Sequence, residues 1–357
     1  MRIAFVNTSR GWGGAEEQML AMIPELERRG HVVTIITRSG GPAYERFTRA
    51  NHQVLPVART GPAALAAPFR VAARARRERF DVIHCHRDHD LPLGKLLAIV
   101  ARAPLLLTQH CLPNRPSAVT YGLADRVVAV SEYIANGIRA KLPAIGDRVD
   151  VIVNGIDPAM FTDPDCRFWQ RYPLVGQRGP LLGVVGAFYK GQEELITMLP
   201  RLRDVFPRLT LILIGEDNDR KAPLEDLAAR LGVADAVVFA GRIPRERMKD
   251  ALAGLDLTVS AFRNEGFGLS VVEGLAVGTP FVGYRAGGYP EIVVDERAGC
   301  LVGGTHLLED GIIRMLGELS VSGDTRRKVC QSVAAGFTLD RMVDAYETAY
   351  CAIGKRL

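Results

Sequence analysis

The feature that most constrains this chain is a rhythm. Short apolar runs alternate with stretches of helical period from the first residue onward. The runs are RIAFVN, HVVTIIT, HQVLPV, DVIHCH, PLLLTQ, RVVAVS and RVDVIV. A strand with one wet face alternates polar and apolar residues. These mostly do not, which is the pattern of parallel strands buried on both faces and joined by crossover helices. Helical patterns lie between them, as at Ala15 to Arg29, Leu91 to Ala101 and Glu132 to Lys141. The rhythm breaks over Asn154 to Pro180, a segment rich in Gly, Pro and Asp that reads as a linker and the entry to a second domain. It then resumes with LLGVVG, LTLILIG, AVVFAG, LDLTVS, PFVGY and GCLVG. The expected fold is α/β, with two Rossmann-like doubly wound parallel-sheet domains and a cleft between them. Ligands bind at the carboxyl ends of such strands. The expected domains are 1–160 and 161–337. The amphipathic tail, 338–357, either caps the second domain or returns to the first as a strap.

Composition sets the outer limits. A chain of 357 residues, 48% hydrophobic and 24% charged, has material for two or three soluble globular cores. No apolar run reaches the roughly 18–20 residues that cross a bilayer. The nearest, LPLGKLLAIVARAPLLL, is broken by Lys95, Arg102 and Pro104 and reads as helix, turn and strand. The opening MRIAFVNTS reads as a first strand, not a signal peptide. Six cysteines lie scattered without a CxxC pair, which favours reduced thiols and a cytoplasmic location. Net charge is +5, and the densest basic stretch is FRVAARARRERF, Phe69 to Phe80. It fits a solvated helix face, or a surface for anionic lipid on the inner face of the cytoplasmic membrane. Nucleic acid is disfavoured, since no binding motif or interleaved aromatics accompany the charge.

The most informative stretch is NEGFGLSVVEGL, Asn264 to Leu275. A strand precedes it and a short helix follows, ending near Gly278. Gly266 and Gly268 permit unusual backbone angles and close approach of a ligand. The N–H groups from about Phe267 to Val271 lie at the helix start, where an anion is favoured. Glu273 falls about one turn inside, roughly 6 Å along the axis, and Glu265 stands in the loop before it. Two carboxylates flanking a phosphate cradle make sense if each accepts hydroxyls on its own side. A nucleoside diphosphate sugar has that layout, with ribose, diphosphate and sugar in series. Taken alone, a helix whose acidic residues merely complement its dipole fits equally well.

The pair Glu265 and Glu273, an E-x7-E within EGFGLSVVEGLAVGTP, resembles the signature of retaining glycosyltransferases of the two-Rossmann (GT-B) architecture, family 4. GGAE, TQH, VSEYI, VIVNGIDPAMF, YKGQ and GGYPEIV stand in the order that family shows, so the resemblance runs through nearly the whole chain. It implies that Glu273 takes the ribose hydroxyls of a nucleotide-sugar donor. Glu265 and the backbone of Phe267, Gly268 and Leu269 would hold the donor sugar, and Ser270 and Val271 would donate to the diphosphate. Lys190 matches a phosphate-binding lysine. The usual companion arginine is replaced by Ala187, with Arg242 or Arg263 as candidates to fill the gap. His110 matches a histidine that reaches the donor sugar, Gly13 and Gly14 would face the cleft, and Glu291 would lie near the donor. Glu265, His110 and Lys190 are the catalytic candidates. Glu16, His86 and Asp88, on first-domain loops, are candidates to meet a saccharide or lipid-linked acceptor. The resemblance implies transfer to a hydroxyl with retention, no metal or other cofactor, and a place in bacterial surface-glycan or lipopolysaccharide-type assembly.

Other patterns compete. HCHRDHD, His84 to Asp90, has the residue types of a metal site, but Cys85 interrupts it and no partner ligands are evident on later strands. Asp217, Asn218 and Asp219 mimic a metal-binding D-x-D, yet read as a turn. GWGGAEEQ fails the dinucleotide fingerprint, because Glu16 stands where its third glycine belongs and the second strand ends in Arg38. Two rival functions remain, a nucleotide-sugar epimerase of similar architecture and a non-catalytic nucleotide-sugar binding module.

Overall fold

The computed structural model of the protein describes residues 1–58, 63–172 and 179–354. They gather into two compact units. Met1–Gly155 and the segment from Leu339 onward form the first, and Ile156–Thr338 the second. Every apolar run named above becomes a strand. The first unit holds β1 (Arg2–Asn7), β2 (Val32–Arg38), β3 (Gln53–Val57), β4 (Val82–Cys85), β5 (Leu105–Gln109), β6 (Arg126–Ala129) and β7 (Val149–Val151) in the order β3-β2-β1-β4-β5-β6-β7. The second holds β8 (Leu181–Val185), β9 (Thr210–Ile214), β10 (Val237–Gly241), β11 (Leu257–Ser260), β12 (Phe281–Tyr284) and β13 (Gly299–Val302) in the order β10-β9-β8-β11-β12-β13. All neighbouring strands within both sheets run parallel. The expected α/β class, two Rossmann-like doubly wound units, is what the chain forms.

Continuous apolar runs do what burial on both faces requires. Every residue of β5 and of β9 is buried. Strand order reverses between β1 and β4 in one sheet and between β8 and β11 in the other. Crossover helices pass to opposite faces on the two sides of such a reversal, so the loops leaving the two strands part and leave room at their carboxyl ends.

The tail forms the helix Leu339–Gly354, whose apolar stripe of Met342, Val343, Tyr346, Tyr350 and Ile353 joins the core of the first unit. Its buried hydroxyls find partners there, Tyr350 with His84 Nδ1 at 2.8 Å and Tyr346 with Thr108 Oγ1 at 3.0 Å. On the polar face Arg29 binds Asp344 and Glu347, and Glu347 also meets His31 Nε2 at 2.6 Å. The segment read as a linker is anchored by buried residues, among them Ile156, Phe161, Phe168 and Trp169. Trp169 is buried in the second unit and donates its indole N–H to Ala251 O at 2.7 Å. The rest of that segment includes 173–178, outside the described residues.

Among the described residues no helix is long and apolar enough to cross a membrane. In the basic helix Ala63–Glu78, Phe69, Arg70, Arg76 and Arg77 are exposed, while Arg74 pairs with Glu78 at 2.5 Å.

The tail helix is expected to be integral to the first unit. Tyr350→Ala should cost about 3–5 kcal/mol through the lost buried ring, and Tyr350→Phe about 1 kcal/mol through the lost hydrogen bond. Denaturant unfolding followed by Trp12, which packs on Phe47 with ring centroids 5.5 Å apart, reads this in a Trp169→Phe background. An unchanged midpoint for Tyr350→Ala would exclude a structural role for the tail.

Candidate functional site

In the second unit the loops after β8 and β11 flank the reversal. The β11 loop enters the helix Leu269–Ala276 through Gly268, whose φ of +112° lies in the left-handed region that favours glycine. The first turn leaves the N–H groups of Leu269 and Ser270 without an acceptor inside the helix. Val271 differs, since its N–H donates to Gly268 O at 2.9 Å. Lys190, from the β8 loop, reaches Glu265 with Nζ to Oε2 at 2.7 Å. Lys190, Glu265, Ser270 and Val271 line one hollow of about 10 Å³, with Ser260 and Tyr289.

The GGYPEIV segment sets the position of Glu265. Gly288 N–H donates to Glu265 O at 3.0 Å, and Tyr289 donates its hydroxyl to Ser260 Oγ at 2.8 Å. Gly287, at φ +62°, passes so close that a Cβ there would lie 2.6 Å from Glu265 O. Glu291 belongs to the short helix Tyr289–Ile292 that follows.

Glu273 is 6% exposed and ion-paired with Arg245, the first residue of the helix Arg245–Ala253. Sequence reasoning missed Arg245. It named Arg242, three residues earlier and exposed. The signal was present in an Arg opening a helix beside a loop at a strand's carboxyl end. Arg263, the other candidate to replace the missing arginine, is committed. It holds both carboxylate oxygens of Glu194 at 3.0 and 3.2 Å and Thr305 Oγ1 at 3.1 Å, and stacks 3.7 Å from the Tyr284 ring centroid. At Ala187 the carbonyl accepts from Lys190 N–H at 3.2 Å and from Gln192 Nε2 at 3.0 Å.

In the first unit the loops after β1 and β4 are bound together. Asp90 accepts from Thr8 N–H at 2.9 Å and from the Thr8 hydroxyl. Glu16, fully buried, accepts from Asn7 Nδ2 and Ser9 Oγ at 2.8 Å each, from Gly13 N–H at 2.9 Å and from Arg87 Nη2 at 2.9 Å. Burial alone would lift its carboxyl. The Arg87 charge and these side-chain hydrogen bonds outweigh that and hold it below the usual value. Glu16 therefore positions Arg87 and the β1 loop, and its bond to Gly13 is half of a capping box. Gly13, Gly14 and Glu16 do not line the neighbouring cavity, whereas His86, Asp88 and His110 do.

That cavity measures about 740 Å³ and opens at the carboxyl ends of β1, β2, β4 and β5. In HCHRDHD strand alternation sets Cys85 apart from His84 and His86, which lie on one side. His84 points back to Tyr350 and to Thr108 Oγ1 at 2.7 Å, Cys85 is buried with its thiol pushed well up by that burial, and His86 reaches the cavity. His84 and His86 stack with ring centroids 4.1 Å apart, and His86 and His110 at 5.7 Å. Burial pushes all three imidazoles down, His84 and His86 well below the ordinary value and His110 to about 3, the latter helped by Arg87. His110 is therefore a neutral imidazole at pH 7. Among the described residues no group of three or more His, Cys, Asp or Glu is placed to hold a metal ion. Asp217 pairs with Lys221 at 2.8 Å, in the manner of a surface turn.

Residues 12–160 match the family model "Glycosyltransferase Family 4", and residues 175–327 match "Glycosyl transferases group 1". A D-inositol 3-phosphate glycosyltransferase of Acidothermus cellulolyticus is 30% identical over 67% of this chain, which spans only 60% of that relative's length. The N-acetyl-alpha-D-glucosaminyl L-malate synthase of Bacillus anthracis is 26% identical over 91% of this chain and 90% of its own length. Anabaena Alr3699/HepE, solved in complex with UDP and glucose, superposes with a TM-score of 0.82 at 22% identity, covering 98% of this chain and 99% of its own. At that identity the likeness speaks for fold alone.

The histidine stack predicts acid sensitivity of the first unit. Free histidine titrates near 6.5, and each of these imidazoles titrates lower in the folded state. The unfolded chain therefore binds the extra protons, so stability is full above about pH 7 and falls as pH drops below about 6.5. The slope is up to about 1.4 kcal/mol per pH unit per histidine. Unfolding midpoints read by Trp12 should drop between pH 7 and 5.5, and less so in a His86→Gln variant. A midpoint flat over that window would show that the imidazoles are not held neutral.

Proposed function

This chain belongs to the family 4 glycosyltransferases of the two-Rossmann GT-B architecture, and from that premise we propose that it moves a sugar from a nucleoside diphosphate sugar to a hydroxyl acceptor with retention of anomeric configuration. One observation carries the proposal. Lys190, Glu265 and the open helix start at Leu269 and Ser270 converge where the β8 and β11 loops part, with Glu273 one turn further in. The helix start and Lys190 suit a diphosphate, Glu265 suits hydroxyls of the donor sugar, and Glu273 suits the ribose. The Anabaena neighbour of the same fold was solved with UDP and glucose, which puts uridine diphosphate sugars first among the donors to test.

The barrier is departure of the diphosphate as positive charge grows at the anomeric carbon. Donors already oriented at the leaving group stabilise that charge separation without reorganising. In a front-face substitution the acceptor oxygen bonds the anomeric carbon on the side the diphosphate leaves, and the acceptor proton passes to a diphosphate oxygen. This needs no covalent enzyme carboxylate and no metal. His110, neutral at working pH, can hydrogen-bond a sugar hydroxyl without adding charge. The acceptor is assigned to the first unit, whose cavity includes His86 and Asp88. A cytoplasmic enzyme of surface-glycan or lipopolysaccharide-type assembly would work at the inner membrane face. The exposed Phe69, Arg70, Arg76 and Arg77 suit contact with anionic lipid there.

A panel of uridine and guanosine diphosphate sugars should raise the melting temperature, and Lys190→Ala and Glu273→Gln should each weaken donor binding about tenfold to a hundredfold. No shift with any member would sink the proposal. Proton NMR of the product should show the donor's anomeric configuration, and inversion would remove the front-face mechanism. An epimerised sugar from donor alone would favour the epimerase. Tight donor binding with no turnover over a broad acceptor panel would favour the binding module.

A further inference from the structure

The cavity of the first unit has a charge pattern that the transfer reaction does not itself require. Four arginines line it, Arg10 from the β1 loop, Arg38 at the end of β2, Arg87 from the β4 loop and Arg115 beyond β5, against a single acid, Asp88. Arg87 is answered by Glu16. Among the described residues no ion pair involves Arg10, Arg38 or Arg115. Three like charges drawn to one concavity from three separate segments repel one another, and an anion relieves that repulsion. With Asp88 set against them the cavity keeps an excess of two positive charges, which matches a phosphate monoester near neutral pH at about −1.5 to −2.

Buried polar atoms independently call for a ligand. Gln109 and His86 line the cavity and are only 5% and 3% exposed, and among the described residues neither Gln109 Oε1 nor His86 Nε2, each itself shielded from solvent, has a hydrogen-bond partner. Buried polar groups are rarely left so, because each costs its full desolvation penalty. Gln109 Nε2 is taken by Cys111 O at 2.8 Å, which leaves the amide oxygen as an acceptor. A hydroxyl satisfies it, and a neutral imidazole nitrogen takes a hydroxyl equally well. A volume of about 740 Å³ has room for a ring and its substituents.

We propose that the acceptor is a polyhydroxylated molecule bearing a phosphate monoester, its phosphate held by Arg10, Arg38 and Arg115 and its hydroxyls by Gln109 and His86. This rests on the assignment of the acceptor to the first unit and narrows it to a chemical class. Guanidinium forks match phosphate oxygens two at a time, and an excess of one sign in a concavity raises the local concentration of the opposite charge. The phosphate can come from a free sugar phosphate or from a phosphorylated lipid headgroup.

The test is binding by the intact protein at fixed ionic strength. Glucose 6-phosphate, inorganic phosphate and glucose are compared by calorimetry, and phosphatidic acid vesicles with phosphatidylcholine vesicles by co-sedimentation. UDP binding is measured beside them as the readout of the second unit. Glucose 6-phosphate and inorganic phosphate should bind and glucose should not. Arg38→Gln and Arg115→Gln should each weaken phosphate binding about tenfold or more, with UDP affinity and melting temperature unchanged. Binding to phosphatidic acid vesicles alone, lost in the same variants, would assign the phosphate to a lipid. Equal binding of glucose and glucose 6-phosphate, no phosphate binding in any arm, or phosphate affinity untouched by both variants would overturn the proposal while leaving the donor assignment standing. A parallel loss of UDP affinity in the arginine variants would also overturn it, because the cavity would then read the donor's diphosphate. Failure of UDP to bind the unaltered protein would count instead against the proposed transferase.

Discussion

Each sheet reverses its strand order between its first and fourth strands, β1 with β4 and β8 with β11, and the chemistry of the chain depends on those two reversals. Parallel neighbours must be joined by crossovers that cover the sheet's faces, so the strands themselves have no free surface except at their ends. Where the order reverses, the departing loops diverge and leave a crevice into which side chains from more than one loop can turn. In the second unit this brings Lys190 to Glu265. In the first it brings the β1 loop to the β4 loop, fixed by Thr8 on Asp90 and by Arg87 on Glu16.

A second constraint acts inside those openings. A carboxylate taken out of water costs several kcal/mol unless it is paired. Each unit buries at least one near the start of a helix that follows a reversal strand, among them Glu16 after β1 and Glu273 after β11. Each of these two is met by an arginine from a neighbouring segment, Arg87 or Arg245. The resemblance between the two sites stops at the surroundings. Glu16 is also wrapped by Asn7, Ser9 and Gly13 and lies behind the cavity. Glu273 sits one turn below an open helix start, where a ligand bound to that start would pass over it.

The architecture was legible because burial on both faces is written into the run itself. In LLLTQ and TLILI apolar residues follow one another without strict alternation, as strands buried on both faces allow. Individual charges were harder, because a one-dimensional pattern does not say which way a side chain turns. Glu16, expected to meet an acceptor, instead builds the loop. Arg263 lies directly before the Glu265 loop in sequence, yet it turns to Glu194 and Tyr284. Arg245 went unnoticed because an arginine opening a polar helix is usually solvated. The tail's apolar stripe was plain, but its destination depends on polar ends, Tyr350 on His84 and Glu347 on His31, that have meaning only once β4 is placed. In HCHRDHD the alternation of a strand decides everything. Cys85 turns away from His84 and His86, which lie on one side and stack, and Arg87 to Asp90 lie beyond the end of the strand.

The absence of an arginine at Ala187 bears on how a leaving group could be held. On the proposed donor assignment, two cations of the site, Lys190 and Arg245, already face carboxylates. A diphosphate arriving there does not meet idle positive charge. Its hydroxyl neighbours must take over part of what Lys190 gives Glu265 and Arg245 gives Glu273, so that the cations can turn toward phosphate. Hydroxyl-to-carboxylate bonds are charge-assisted and strong enough to sustain that exchange. The two glutamates then couple recognition to charge: a donor lacking the ribose or sugar hydroxyls would leave the ion pairs closed and the diphosphate with only the helix N–H groups. A standing arginine at position 187 would bind any diphosphate. On the proposed donor assignment, alanine there would make the phosphate grip conditional on the hydroxyls at either end.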